Sequence, residues 1–166
     1  MCRANIIAAF AGCGKSTFTK EATLHGKKVL DLDTSLYSHF IDTSGQKIPN
    51  PFFIENYENA IKRNLENYDY ILIGTHKEVR DMLRKNNIKY TLIYPNIHLK
   101  SEYLVRYLYR GDNNSFILGI VDNWDKFIVQ MMSEEYPSKI ELKSNEYLSD
   151  VINFKENKGR VDYNGK

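Results

Sequence analysis

The stretch Ala9-Phe10-Ala11-Gly12-Cys13-Gly14-Lys15-Ser16-Thr17 decides how the rest of the chain reads. It opens at the end of an apolar run, Arg3 to Ala9, that suits a buried strand, and leads into Lys15 to Leu24, whose spacing is helical as far as Gly26. A glycine-bearing loop therefore joins a strand to a helix. With Ala9 in the first glycine position, the stretch fits the phosphate-binding pattern G-x-x-x-x-G-K-[ST].

Such a loop turns consecutive backbone N–H groups toward one point, and the helix N-terminus adds the positive end of its dipole. Ala11, Gly12, Cys13, Gly14, Lys15, Ser16 and Thr17 are the expected cradle for a polyphosphate. Lys15 would reach the terminal phosphates as a point charge, and the Ser16 hydroxyl would be a ligand of a Mg2+ ion that keeps most of its waters. Thr17 suits the inner phosphates. The alternative is a chance Gly-Lys-Ser turn at a helix start, against which the preceding strand and the two glycines argue together. Ala9 is tolerable if its backbone angles are ordinary, whereas a positive φ would call for glycine. Cys13 is either a thiol activated at a helix N-terminus or a variable loop position.

Downstream, Lys28 to Asp33 reads as a second strand, followed by an irregular segment ending near Ile48 to Pro51 and a helix from Phe53 to Tyr68. Tyr70 to Ile73 is a third strand closed by Gly74, Lys77 to Asn86 a helix, and Lys89 to Tyr94 a fourth strand stopped by Pro95. Leu99 to Tyr109 is helical up to Gly111. Ser115 to Glu135 reads as one longer amphipathic helix with Phe116, Ile120, Trp124, Phe127 and Met131 inward, before a fifth strand at Lys139 to Leu142 and a short helix at Tyr147 to Ile152. Strands alternating with helices predict a three-layer α/β fold: a mostly parallel five-stranded sheet, helices on both faces, and ligands at the carboxyl ends of the strands. Residues 1–153 are expected to form one domain and 154–166 a polar, loosely ordered tail.

Composition agrees with this and narrows the function. A chain of 166 residues, 42% hydrophobic, can bury a core without disulfides or metals. Twenty-three Lys and Arg against 21 Asp and Glu leave a charge of +2, too balanced for an extended nucleic-acid groove, so phosphate recognition must be local. Two cysteines without a Cys-x-x-Cys fit a reducing compartment, and the apolar run Ile6 to Phe10 is too short for a signal peptide or membrane span. The expectation is a cytoplasmic protein, monomeric or homodimeric, that meets no membrane.

Asp31 and Asp33, two apart at the end of the second strand, share one face there. Asp33 is favoured to hold magnesium through water and to orient or deprotonate the acceptor, with Asp31 in support; the alternative is that both end the strand and cap the next segment. The third strand ends in Gly74-Thr75-His76 with no carboxylate, so that metal duty would pass to the second strand or to water. Thr75 and His76 lie where an acceptor would be presented, and Arg80, a turn onward, suits an acceptor phosphate. His76 is equally a helix cap. Arg106 and Arg110 share a helix face beside Gly111-Asp112-Asn113 and could close over the transferring phosphate, or could be a solvated face. Tyr103, Tyr107 and Tyr109 read as core aromatics more readily than as a base-stacking set.

At these residues the chain resembles the adenylate-kinase-like and shikimate-kinase-like P-loop kinases, especially small phage-encoded nucleotide kinases with a short arginine lid. The resemblance covers roughly Ile6 to Val151 and rests on Gly12 to Thr17, the Asp31-x-Asp33 pair, Gly74-Thr75-His76 with Arg80, and Arg106 with Arg110. It implies a P-loop NTPase fold in which Lys15 and Ser16 hold ATP and Mg2+, the segment after the second strand helps form the acceptor site, and the lid arginines close during transfer. The sequence departs from that family at Ala9, in having no long insert after Arg106, and in lacking a Gly-Phe-Pro-Arg-like acceptor motif.

The leading expectation is therefore an ATP- and Mg2+-dependent kinase acting on a nucleoside or deoxynucleoside monophosphate. The alternatives are a kinase of a non-nucleotide small molecule, a non-catalytic ATP- or GTP-binding accessory protein, and, last, a polynucleotide 5′-end kinase.

Overall fold

Strands covered on both faces have no solvent side, so they read as unbroken apolar runs, and such runs form the middle of this sheet. The structure, a computed structural model, describes residues 3–154. In chain order its elements are β1 (Asn5–Ala9), α1 (Lys15–Leu24), β2 (Val29–Asp31), α2 (Ser35–Ser38), β3 (His39–Ile41), β4 (Lys47–Pro49), α3 (Phe53–Asn64) and β5 (Tyr70–Ile73). Then follow α4 (Lys77–Lys85), β6 (Thr91–Pro95), a 3-10 turn at Ile97–Leu99, α5 (Lys100–Arg110), α6 (Asn114–Asp122), α7 (Trp124–Met132), β7 (Ser138–Leu142) and α8 (Leu148–Val151).

The main sheet has five strands in the order β2-β5-β1-β6-β7, every neighbouring pair parallel. Ile6 faces Ile71 and Ile7 faces Leu72 across β1 and β5, while Ala8 faces Leu92 across β1 and β6. Right-handed crossovers put α1 on one face and α3 and α4 on the other. The helix contacts agree: α1 packs with α8, α3 packs with α4, and α7 lies against β6. The chain is thus an α/β protein with helices flanking a five-stranded parallel sheet. Among the described residues, no helix is long and apolar enough to cross a membrane.

Three expectations need correction. The segment before Ile48 is not irregular, because β3 and β4 form an antiparallel hairpin. Its turn is closed by the Asp42 carboxylate, which accepts from the backbone of Ser44 and Gln46, with Gly45 at φ +83°. The long helix from Ser115 to Glu135 is two helices. At Asn123 the backbone leaves the helical region and the side-chain amide donates to Gly119 O at 2.9 Å, the local competition that makes asparagine a helix breaker. The break lets Trp124 sink into the core and donate from Nε1 to Ile97 O at 2.7 Å. Ile117, Trp124, Ile128 and Met131 are the buried residues there, and Phe116, Ile120 and Phe127 are only half-buried.

The third correction concerns β2, whose ladder stops at Asp31, with one further bond from Leu32 N to Leu72 O; Asp33 lies beyond it. The domain boundary expected at residue 153 falls next to Phe154, which is 4% exposed and stacks edge-on against Phe18. Residues 155–166 of the expected tail lie outside the described residues.

Candidate active site

β1 sends its chain toward β2 on one side and β6 sends its chain toward β7 on the other. The crevice at their carboxyl ends is therefore the topological switch point at which open α/β sheets bind ligands. A cleft of about 1580 Å³ opens there, between the loop after β1, the ends of β2 and β5, and helices α5 to α7.

The loop is polarised. Tyr107 donates from its hydroxyl to Ala11 O at 2.8 Å, Arg106 from Nη1 to Gly12 O at 2.9 Å, Leu148 N to Cys13 O at 2.9 Å and Phe18 N to Gly14 O at 3.0 Å. In a trans peptide the N–H points opposite to the C=O, so pinning the carbonyls of Ala11, Cys13 and Gly14 behind the loop turns the N–H groups of Gly12, Gly14 and Lys15 the other way. Cys13 N is used internally, on Phe10 O. The N–H groups of Ala11, Gly12, Gly14, Lys15, Ser16 and Thr17 meet no protein acceptor among the described residues. A row of unfilled donors at the start of a ten-residue helix has the geometry and the dipole direction that suit an anion.

Gly12 and Gly14 sit at φ +87° and +90°, which explains both glycines. A Cβ on Gly12 would stand 2.9 Å from Tyr107 Cε1. Gly12→Ala is expected to cost about 2 kcal/mol or more, from the left-handed backbone and the clash together, read as a lower denaturant midpoint with unchanged slope. Ala9, by contrast, is the last residue of β1 and pairs with Ile93, so its backbone is extended and glycine is not required.

Cys13 is 1% exposed, with Sγ 3.5 Å from the Tyr103 hydroxyl. Burial pushes its thiol up to about 11, so it stays protonated and is no redox handle. Tyr103 and Tyr107 are fully buried behind the loop, as core residues, while Tyr109 is exposed.

At the end of β2, Tyr57 from α3 donates to Leu32 O at 2.7 Å and fixes the backbone between the two aspartates. Asp33 Oδ1 accepts from Ser35 N at 2.9 Å, the capping alternative realised for one of its oxygens. Asp31 faces the Lys15 side: burial raises its carboxyl above the ordinary value, Lys15 opposes that rise and Asp33 adds to it. Thr34, not anticipated, meets His76 Nε2 at 3.0 Å and ties the ends of β2 and β5 together. Burial holds His76 below the ordinary histidine value of 6.5, so it enters the cleft neutral. Thr75 also lines the cleft, though its carbonyl accepts from Arg80 Nε at 3.0 Å.

The arginines differ most from expectation. Arg80 is 2% exposed and is spent on an ion pair with Glu134 and a 3.1 Å bond to Gln130, so it is not poised for an acceptor phosphate. Arg106 is no solvated lid residue either: it lies between the rings of Tyr103 and Tyr147, 4.4 and 4.0 Å from their centroids, paired with Glu102 at 2.8 Å. Burial works against the Glu102 charge, but bonds from Asn145 N, Ser144 Oγ and Arg106 outweigh it and hold its carboxyl low. Only Arg110 is half-exposed, paired with Asp112 at 2.6 Å. The i, i+4 spacing of Glu102 and Arg106 was visible in the sequence; the tie to Ser144 and Asn145 was not.

Among the described residues, no group of three His, Cys, Asp or Glu could hold a metal ion by itself. No protein-family model matches the chain. No curated protein matches it either. Among solved structures, an uncharacterized protein from Eubacterium ventriosum ATCC 27560 is similar at 17% identity and a TM-score of 0.48, over 86% of this chain and 90% of that one.

Proposed function

We propose that the chain is a P-loop kinase: a phosphotransferase that takes the terminal phosphoryl group of ATP, with Mg2+, to a small acceptor. The observation that carries this reading is the polarity of the loop after β1, carbonyls pinned behind and N–H groups unfilled in front, with Lys15 beside them. The adenylate-kinase-like and shikimate-kinase-like resemblance, with its P-loop NTPase fold, is part of the proposal. A nucleoside monophosphate is the acceptor that the sequence puts first.

Mg2+ fits as an ion shared with substrate phosphates rather than caged by protein, because the cleft offers hard oxygen donors in the Ser16 hydroxyl and the carboxylates of Asp31 and Asp33. When bound it neutralises charge developing on the phosphate oxygens. Asp31, not Asp33, is the better proton acceptor, since one Asp33 oxygen is engaged on Ser35 N and Asp31 is partly desolvated beside Lys15. Arg106 positions the loop from behind, and Arg110 is the lid charge free to exchange Asp112 for phosphate, an exposed pair being worth little.

Asp31→Asn tests this assignment. Turnover is expected to fall at least about 100-fold. The melting temperature at pH 7 should rise. A carboxyl raised on folding binds its proton more tightly in the native state, so stability is lost as pH rises through the folded pKa, and asparagine removes that loss. Unchanged turnover would sink the role of Asp31.

A nucleotide-binding accessory protein without turnover is the second reading, favoured by the end of β5, where Gly74, Thr75 and His76 stand in place of a carboxylate. ADP production by the purified protein separates the two.

A further inference from the structure

The charges on the acceptor side of the cleft do not suit a phosphate ester. Of the arginines lining the cleft, Arg80 is held by Glu134 and Arg106 by Glu102, both away from solvent, while Arg110, in an exposed pair with Asp112, is the one assigned to the transferring phosphate; Lys77 is in an exposed pair with Asp81. Withdrawing Arg80 for a ligand would strand a buried guanidinium away from Glu134. Among the described residues lining the cleft, the cations without an ion pair are Lys15, which the donor phosphates claim, and Lys126 on α7. Asp31, Asp33 and Glu78 also line the cleft, none of them ion-paired among the described residues.

A phosphomonoester dianion calls for a guanidinium fork or several cations, and two exposed lysines, Lys126 and Lys77, in a cleft that also carries three carboxylates without an ion pair do not supply a fork. Helices α6 and α7 give the cleft an apolar lining, Phe116, Ile120, Phe127 and Met131. Resting on the phosphotransferase reading, we infer that the acceptor is an uncharged organic alcohol with an apolar or aromatic body, such as a nucleoside, and not a phosphomonoester. The body lies on the α6–α7 wall and the hydroxyl points to Asp31. The hydroxyl proton passes to that carboxylate, the oxygen forms its bond to the γ-phosphorus of ATP, and the bond from that phosphorus to the β–γ bridging oxygen breaks, releasing ADP.

The test gives the purified full chain Mg·ATP with a panel of nucleosides and aryl and alkyl alcohols, each beside its own phosphate monoester. ADP release and the phosphorus spectrum of the product are the readouts. The expected result is kcat/KM for at least one uncharged alcohol tenfold or more above its monoester. Phe127→Ala should then raise KM for that alcohol about tenfold with kcat within about threefold, the effect of losing one aromatic contact. Lys126→Ala should change neither by more than about twofold. Turnover confined to monoesters, with KM raised by Lys126→Ala, overturns the inference and leaves the kinase reading standing. Silence from every acceptor also overturns it; calorimetry with Mg·ATP then decides whether the phosphotransferase reading falls too, through absent binding, or gives way to the non-catalytic binder.

Discussion

Lys15→Ala is expected to lower ATP-dependent phosphoryl transfer on the order of 1000-fold while leaving the melting temperature within about 2 °C of the parent. Lys15 makes no ion pair among the described residues and stands at the first position of α1, where alanine is at least as good a helix former. Its charge acts on the fold only through space, as on Asp31, without an ion pair or hydrogen bond, so the stability change should stay near the surface-substitution range of about 0.5 kcal/mol, or about 2 °C for a chain of this size. Transfer is different. The transition state spreads negative charge over the phosphoryl oxygens, and a fixed cation aimed at that charge is worth about three orders of magnitude. Turnover of the variant within tenfold of the parent would contradict the role assigned to Lys15.

Glu134→Ala should produce the largest loss of stability. Arg80 is 2% exposed, and its guanidinium is held by Glu134, Gln130 and the Thr75 carbonyl. Glu134 also accepts from Tyr90 at 3.0 Å, so the substitution strands two donors at once. Breaking a buried pair from one side costs about 3–5 kcal/mol, against much less when both charges are replaced by apolar groups. At about 2–4 °C per kcal/mol for a chain of this size, the melting temperature should fall by about 6–20 °C. Arg80→Met in the Glu134→Ala background should recover part of that loss, which a double-mutant cycle by thermal melting would read. A fall under 3 °C would mean that the pair is not buried in solution as it is in this structure.

Much of the architecture was legible because its signals are local. The apolar runs Asn5–Ala9, Tyr70–Ile73 and Thr91–Pro95 became central strands, since a strand covered on both faces has to be apolar throughout. Gly12 and Gly14 marked the loop, and Lys15 and Ser16 follow them at the helix start. The hairpin at His39–Pro49 was missed because its strands are three residues each and alternate weakly, leaving only Asp42 and Gly45 as a turn signal. The break at Asn123 was missed because the apolar period runs straight through it, and only the burial of Trp124 shows why the chain bends there.

At the site, residue types were readable and partners were not. Arg80 looked free because Glu134 lies 54 positions away, and Arg106 looked like a surface lid because the loop carbonyl it holds is 94 positions away. A lone arginine advertises its charge but not what neutralises it. The inverse holds for Asp31 and Asp33: spacing brought both to one strand end, and only the bond from Ser35 N and the desolvation beside Lys15 distinguish them.

Direct binding of Mg·ATP, followed by isothermal titration calorimetry on the full chain and on Lys15→Ala, reads whether the loop after β1 holds ATP through Lys15. One saturable site per chain is expected, weakened when Mg2+ is withdrawn and lost or weakened at least tenfold in the variant. No heat from the parent protein, or equal binding by both proteins, would contradict this expectation.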